Sequence, residues 1–176
     1  IVTGRGKRAI EDHFDSSFEL EAQLSGSSKE HYLDDIKGVV EKATFTYVRQ
    51  KEILGLGHAI LTGKPLIGNE PFAVILADDL CDYDESSVLT QMLKIYEKYK
   101  CSIVAIEEVP INQTNKYGVI SGNYLDNNKE IIKISNMIEK PNIKDAPSNL
   151  AIIGRYILTP DIFDILKKIK PNKNQE

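Results

Sequence analysis

The chain has no tryptophan, two cysteines and three histidines among its 176 residues. Cys81 and Cys101 form no Cys-x-x-Cys pair, and His13, His31 and His58 lie far apart in sequence. A disulfide framework and a structural zinc site are therefore not indicated, and the reducing cytoplasm is the expected compartment. No apolar run approaches the length of a membrane span, and no signal peptide opens the chain, so no membrane partner is expected. Excess positive charge is also missing. The net charge is −4, which gives no electrostatic footprint for a long polyanion and argues against nucleic acid as a partner. A small phosphorylated ligand, needing only a few local cations, stays open. No Walker-type loop occurs, and no Ser/His/Asp or Cys/His arrangement suggests a covalent nucleophile. Internal repeats and low-complexity segments are absent as well.

What is present fits one domain spanning 1–176. Apolar content is 41% and charged content 27%, both near globular averages, and the length permits a real core. Strand-like and helix-like segments alternate, which predicts an α/β architecture with a largely parallel sheet. Helices are expected over 7–14, 18–24, 32–43 (with Tyr32, Ile36, Val39, Val40 and Ala43 on one face), from Gly55, and after Ser86 or Ser87. That last helix carries an apolar stripe of Val88, Met92, Ile95, Tyr96 and Tyr99. Strands are expected at 45–48, 72–77, 102–109 and 150–158, with short ones near 117–120 and 131–138 in an irregular stretch. Thr159-Pro160-Asp161 reads as a helix start, and that helix should bury Ile162, Phe163, Leu166 and Ile169. The chain opens on a strand tail, Ile1-Val2-Thr3-Gly4, and stops in a loop. It reads as an internal piece of a larger protein.

The most telling segment is Phe72-Ala73-Val74-Ile75-Leu76-Ala77-Asp78-Asp79. It reads as a strand buried on both faces that ends in two carboxylates. In open α/β sheets ligands bind beyond the carboxyl ends of the strands. A carboxylate there is a hard oxygen ligand suited to Mg²⁺ on nucleotide phosphates; alternatively, it caps the next turn. Neighbouring strand residues face opposite ways, so Asp78 is favoured for the metal, with Asp79 on the sugar side or capping. Gln50 follows the strand at 45–48, where a side-chain amide can meet both a donor and an acceptor on a base edge. Gly55 opens the next helix, where a glycine lets the backbone approach a flat ring; a structural turn is the plainer reading. Gly118 sits in the irregular stretch, where glycine also serves turns. Glu139 can accept from sugar hydroxyls, and Lys140, which Pro141 biases to an extended conformation, is a point charge for phosphate. A solvated ion pair is the commoner fate of a lone Glu-Lys. For both to face one ligand, the backbone must turn there.

The segments IVTGRGKRAIEDHFD, YVRQKEILGLGHAI, FAVILADDL, KYGVI, MIEKP and SNLAIIGRYILTPDIF together resemble bacterial UTP–glucose-1-phosphate uridylyltransferases (UDP-glucose pyrophosphorylases). They occur in that family's order and cover nearly the whole chain. The resemblance implies a Rossmann-like α/β/α sandwich of the nucleotide-diphosphosugar transferase type. It implies synthesis of UDP-glucose and pyrophosphate from UTP and glucose 1-phosphate with Mg²⁺, in a cytoplasmic homo-oligomer. By motif match, Gln50 and Gly55 contact the uridine and Asp78 holds Mg²⁺. Gly118, Glu139 and Asp79 contact glucose, and Lys140 contacts the sugar phosphate. Gly154 and Arg155 lie near the sugar site without a carried-over role. The family's N-terminal GxGTR loop and the C-terminal segment with a second metal-binding aspartate have no match here. The chain alone is thus expected to be truncated at both ends and inactive. Rival readings are a dTTP-dependent sugar-nucleotide pyrophosphorylase and a non-catalytic sugar-nucleotide-binding module.

Overall fold

In a computed structural model, the structure describes residues 1–40, 42–82, 86–125 and 130–169, and of these the side chains of 34–36 and 39–40 are left aside. The chain divides into two compact units, one of residues 1–68 with 163–176 and one of residues 69–162.

The first unit holds a parallel strand pair, β1 (Val2–Thr3) and β2 (Val48–Arg49). Around it are α1 (Arg8–His13), α2 (Phe18–Leu24), α3 (His31–Val40) and α4 (Gly55–Ile67). Ser17 caps α2 by accepting from the Leu20 amide. The Phe45–Val48 strand expectation is corrected: pairing begins only at Val48, because Phe45 stacks on Phe14 with ring centroids 4.3 Å apart. In α3, Tyr32 is exposed and Leu33 takes the buried position; Ile36, Val39, Val40 and the continuation at 41 lie outside what is described. Helix α6 (Ile162–Leu166) starts later than the Thr-Pro-Asp signal predicts. The Thr159 hydroxyl is engaged with Ser102 Oγ at 2.9 Å rather than free to cap. Phe163 is buried as expected, whereas Ile169 is exposed.

The second unit is a five-stranded sheet of β3 (Phe72–Ile75), β4 (Ile103–Glu108), β5 (Gly118–Tyr124), β6 (Ile132–Glu139) and β7 (Leu150–Leu158). Here the expected largely parallel sheet is overturned: every pairing in this sheet is antiparallel. The reason is β7. Tyr156 and Ile157 pair with β3 on one side and with β4 on the other, so β7 runs backwards between two strands that point the same way. Helix α5 (Val88–Tyr99) makes the crossover from β3 to β4, capped by Ser87, whose hydroxyl accepts from the Thr90 amide. Its stripe packs onto one sheet face: Met92, Ala105 and Ile157 form a core flanked by Val88, Leu89, Tyr96, Ile103 and Ile153. Burial of one such side chain stabilises by about 1.5–3 kcal/mol. β5 and β6 form a long hairpin, bulged between Ser121 and Gly122, where the sequence suggested two short strands. β3 is not buried on both faces. Phe72 and Val74 are half-buried, while Ala73 and Ile75 are exposed, the alternation of a strand packed on one side.

Candidate functional site

Each unit carries its own share of the predicted residues. In the first, Gln50 directly follows β2, and its amide donates to the Thr3 carbonyl at 2.8 Å, continuing the parallel ladder past Arg49. The residue thus stands at the carboxyl ends of two parallel strands, the position where open α/β sheets bind ligands. Its side chain is half-buried. Nε2 donates to the Gly55 carbonyl at 3.3 Å and lies 2.8 Å from His58 Nδ1. Gly55, first residue of α4, has φ +82, a left-handed backbone that disfavours any side chain. That turn is what brings its carbonyl back to Gln50. Arg5, Arg49, Gln50 and Lys51 line one open cavity of about 510 Å³. The three cations make it receptive to anions, a feature that sequence order conceals because Arg5 is remote from the others in the chain.

In the second unit the two aspartates part company. Strand β3 ends at Ile75, and Leu76–Asp79 form a turn in which the Asp79 amide donates to the Leu76 carbonyl at 3.4 Å. The turn places Asp78 in solvent, with no side-chain hydrogen bond or ion pair among the described residues. Asp79 turns inward. Its Oδ2 accepts from the Gly154 amide at 2.6 Å. Arg155 then clamps the turn, donating from Nη2 to the Asp79 carbonyl at 2.6 Å and from Nη1 to the Leu76 carbonyl at 3.2 Å. Gly154 is needed for this approach: a Cβ there would lie 2.8 Å from Leu76 Cβ and 3.0 Å from Asp79 Cβ. The sequence singled out Gly154 and Arg155 without a role; the structure makes them the support of the turn that bears Asp78.

Gly118, Glu139 and Lys140 are brought together. Gly118 pairs with Glu139 across the hairpin. A Cβ on Gly118 would come within 2.9 Å of Glu139 Oε2, so the missing side chain is the space the carboxylate occupies. Lys140 corrects the expected extended conformation: its φ is +44. Its amide donates to the Tyr117 carbonyl at 3.0 Å, and the following Pro141 is buried; these two anchors outweigh the local bias of a residue before proline. A turn of this kind is what facing one ligand with two neighbouring residues would require. Tyr156, unremarked in the sequence, lies within the field of this group. Burial first, then the charges of Glu139 and Asp79, raise its phenol above the ordinary value, so it remains a neutral hydrogen-bond donor. The signal that could have found it is its spacing from Gly154 on β7, which places both on one face.

Two larger cavities, about 580 and 550 Å³, lie between α5, β4 and the hairpin. None of the predicted site residues lines them. Among the described residues no three His, Cys, Asp or Glu side chains gather as a metal cluster, and no helix is long and apolar enough to cross a membrane.

The nucleotidyl transferase family profile matches residues 9–176, and the chain belongs to that family. It is 59% identical over 177 residues to a UTP–glucose-1-phosphate uridylyltransferase of Pseudomonas aeruginosa, covering all of this chain and 63% of the relative. Among solved structures, it resembles an apo UDP-glucose pyrophosphorylase with TM-score 0.93 at 61% identity, over 100% of this chain and 64% of that one. It also matches a UDP-glucose pyrophosphorylase complexed with UDP-glucose, TM-score 0.89 at 59% identity, over 100% and 63%. The chain therefore spans about 63% of the curated relative's length.

Proposed function

We propose that the whole protein transfers uridylyl from UTP to glucose 1-phosphate, giving UDP-glucose and pyrophosphate. The observation that carries this reading is the 59% identity extending along the entire chain, including every segment that bears a predicted site residue. The nucleophile, a phosphate oxygen of glucose 1-phosphate, is already anionic. It attacks the α-phosphorus of UTP in line; the new P–O bond forms as the bond to the bridging oxygen breaks, and pyrophosphate leaves with that electron pair. No proton need move, so the residues act by positioning and by balancing charge.

In this reading Gln50 and Gly55 hold the uracil, and Lys140 meets the sugar phosphate. Glu139 accepts from glucose hydroxyls over the space left at Gly118. Asp79 joins them chiefly through Oδ1, since Oδ2 already accepts from the Gly154 amide. Asp78 fits Mg²⁺: it is an exposed carboxylate without a competing partner. Mg²⁺ is usually held by one or two carboxylates, water and substrate phosphates rather than by a full protein cage, which agrees with the absence of a larger acidic cluster among the described residues. When bound, Mg²⁺ would supply charge neutralisation at the phosphates. Cytoplasmic location and homo-oligomer formation belong to the same proposal; sedimentation of the whole protein tests the latter.

The test is pyrophosphate release by the whole protein with UTP, glucose 1-phosphate and Mg²⁺. Turnover that requires all three supports the reading. Binding of UDP-glucose without turnover would favour a non-catalytic module, and preference for dTTP would favour the thymidylyl reaction.

A further inference from the structure

We infer that His58 sharpens the base specificity of the nucleotide site by locking the Gln50 amide in the orientation that the Gly55 carbonyl selects, an inference that rests on the assignment of Gln50 to the base. A glutamine amide is ambivalent: one end donates twice, the other only accepts. Which end meets a base decides which bases bind. Here the choice is made by the neighbours. The Gly55 carbonyl, 3.3 Å away, can only accept, so the nitrogen end must point to it. The remaining proton of that nitrogen points at His58 Nδ1, 2.8 Å away. Nδ1 must then be the unprotonated nitrogen, which puts the ring proton on Nε2.

Both donors of Gln50 are therefore consumed inside the protein, and Oε1 is the one group left to offer. His58 is itself held by its place on α4, where Thr62 Oγ1 donates to its carbonyl at 2.8 Å. The Gln50 backbone is fixed separately by the Thr3 carbonyl. An acceptor presented in this way suits a pyrimidine whose N3 carries a proton, as uracil and thymine do. It repels cytosine, whose N3 is an acceptor. A site built on one obligatory hydrogen bond rejects the analogue that cannot make it. His58 is thus a positioning residue, acting through Gln50 without touching the base.

The alternative is that the Gln50–His58 contact only staples the 50–55 turn to α4. The whole protein distinguishes the two. Turnover is measured with UTP and with CTP at saturating glucose 1-phosphate for His58→Phe, His58→Asn and Gln50→Ala. In His58→Phe the amide keeps only its longer bond to the Gly55 carbonyl, and the ratio of kcat/KM for UTP over CTP should fall about tenfold, the scale of the one hydrogen bond lost, with the KM for glucose 1-phosphate unmoved. His58→Asn, whose Oδ1 can replace Nδ1 as acceptor, should restore the ratio. A lowered melting temperature with an unchanged ratio would overturn the inference. Gln50→Ala separates it from its foundation: if that change leaves UTP kinetics intact, the assignment of Gln50 to the base has failed. If Gln50→Ala weakens UTP while His58→Phe keeps the ratio, only the role of His58 has failed. Independently of any variant, ¹⁵N spectra of the His58 ring should show the proton on Nε2. A proton on Nδ1 in the neutral ring would contradict the arrangement.

Discussion

The two units fix the orientation of their polar groups by different means. In residues 1–68 the means is a side-chain relay. Two short parallel strands end together, and a single amide beyond them is oriented by a carbonyl and a histidine. In residues 69–162 the means is backbone geometry. A turn clamped by Arg155 leaves Asp78 exposed, and Lys140 itself takes the left-handed backbone that turns the chain after β6. The surroundings differ accordingly. Both units expose apolar side chains, but among the described residues the second buries Met92, Ala105, Val119, Ile120, Ala151, Ile157 and Leu158, whereas the first buries Leu33 and Phe163. A precise turn can be held by a well-packed sheet; where packing is thinner, hydrogen-bonded side chains fix the orientation instead. Substitutions should therefore act differently in the two places.

The largest effect is expected at Asp78. Asp78→Asn in the whole protein should lower turnover at least about a hundredfold, the scale of one preorganised electrostatic group. The melting temperature should hardly move, because the side chain is exposed and unpartnered. Near-normal turnover at limiting Mg²⁺ would remove Asp78 from the metal role. Its neighbour supplies the contrast. Gly154→Ala should destabilise by about 1–3 kcal/mol, the usual range for forcing a methyl into a packed site, and should loosen the Leu76–Asp79 turn. Chemical denaturation measures the first effect, and faster hydrogen exchange at the Asp79 amide the second. A fully stable Gly154→Ala protein would mean that the close approach is not as described.

Gly118→Ala should be milder. The added methyl meets the flexible end of Glu139 rather than backbone, so the carboxylate swings aside and the fold survives. The KM for glucose 1-phosphate should rise several-fold, consistent with about 1 kcal/mol for one hydrogen bond, while the KM for UTP stays level. A UTP-only defect would place Gly118 on the nucleotide side.

Much of the pattern was legible in the chain. Helix α2 and strand β7 occupy their expected residues because clear signals bound them: Ser17 and Ser25 flank the first, and the apolar stretches on either side of Gly154-Arg155 outline the second. The direction of β7 was not legible. An apolar run that is buried by its neighbours looks the same whichever way it is traversed, and only the pairing with both β3 and β4 fixes it. The hairpin was underread because Ser121-Gly122-Asn123 interrupts the alternation at the bulge. Asp78 and Asp79 could be located but not told apart in role until the turn separated them. Arg155 makes its decisive bonds to carbonyl oxygens 76 and 79 positions away, and no local pattern announces such contacts.

The comparison between the two units is tested most directly by a crossed kinetic measurement on the whole protein. The KM values for UTP and for glucose 1-phosphate are determined for Gln50→Ala and for Lys140→Ala. Gln50→Ala should raise the KM for UTP and spare that for glucose 1-phosphate. Lys140→Ala should do the reverse, costing about 1.5–3 kcal/mol for a charge-assisted contact. If both substitutions weaken the same substrate, the division of labour described here is wrong.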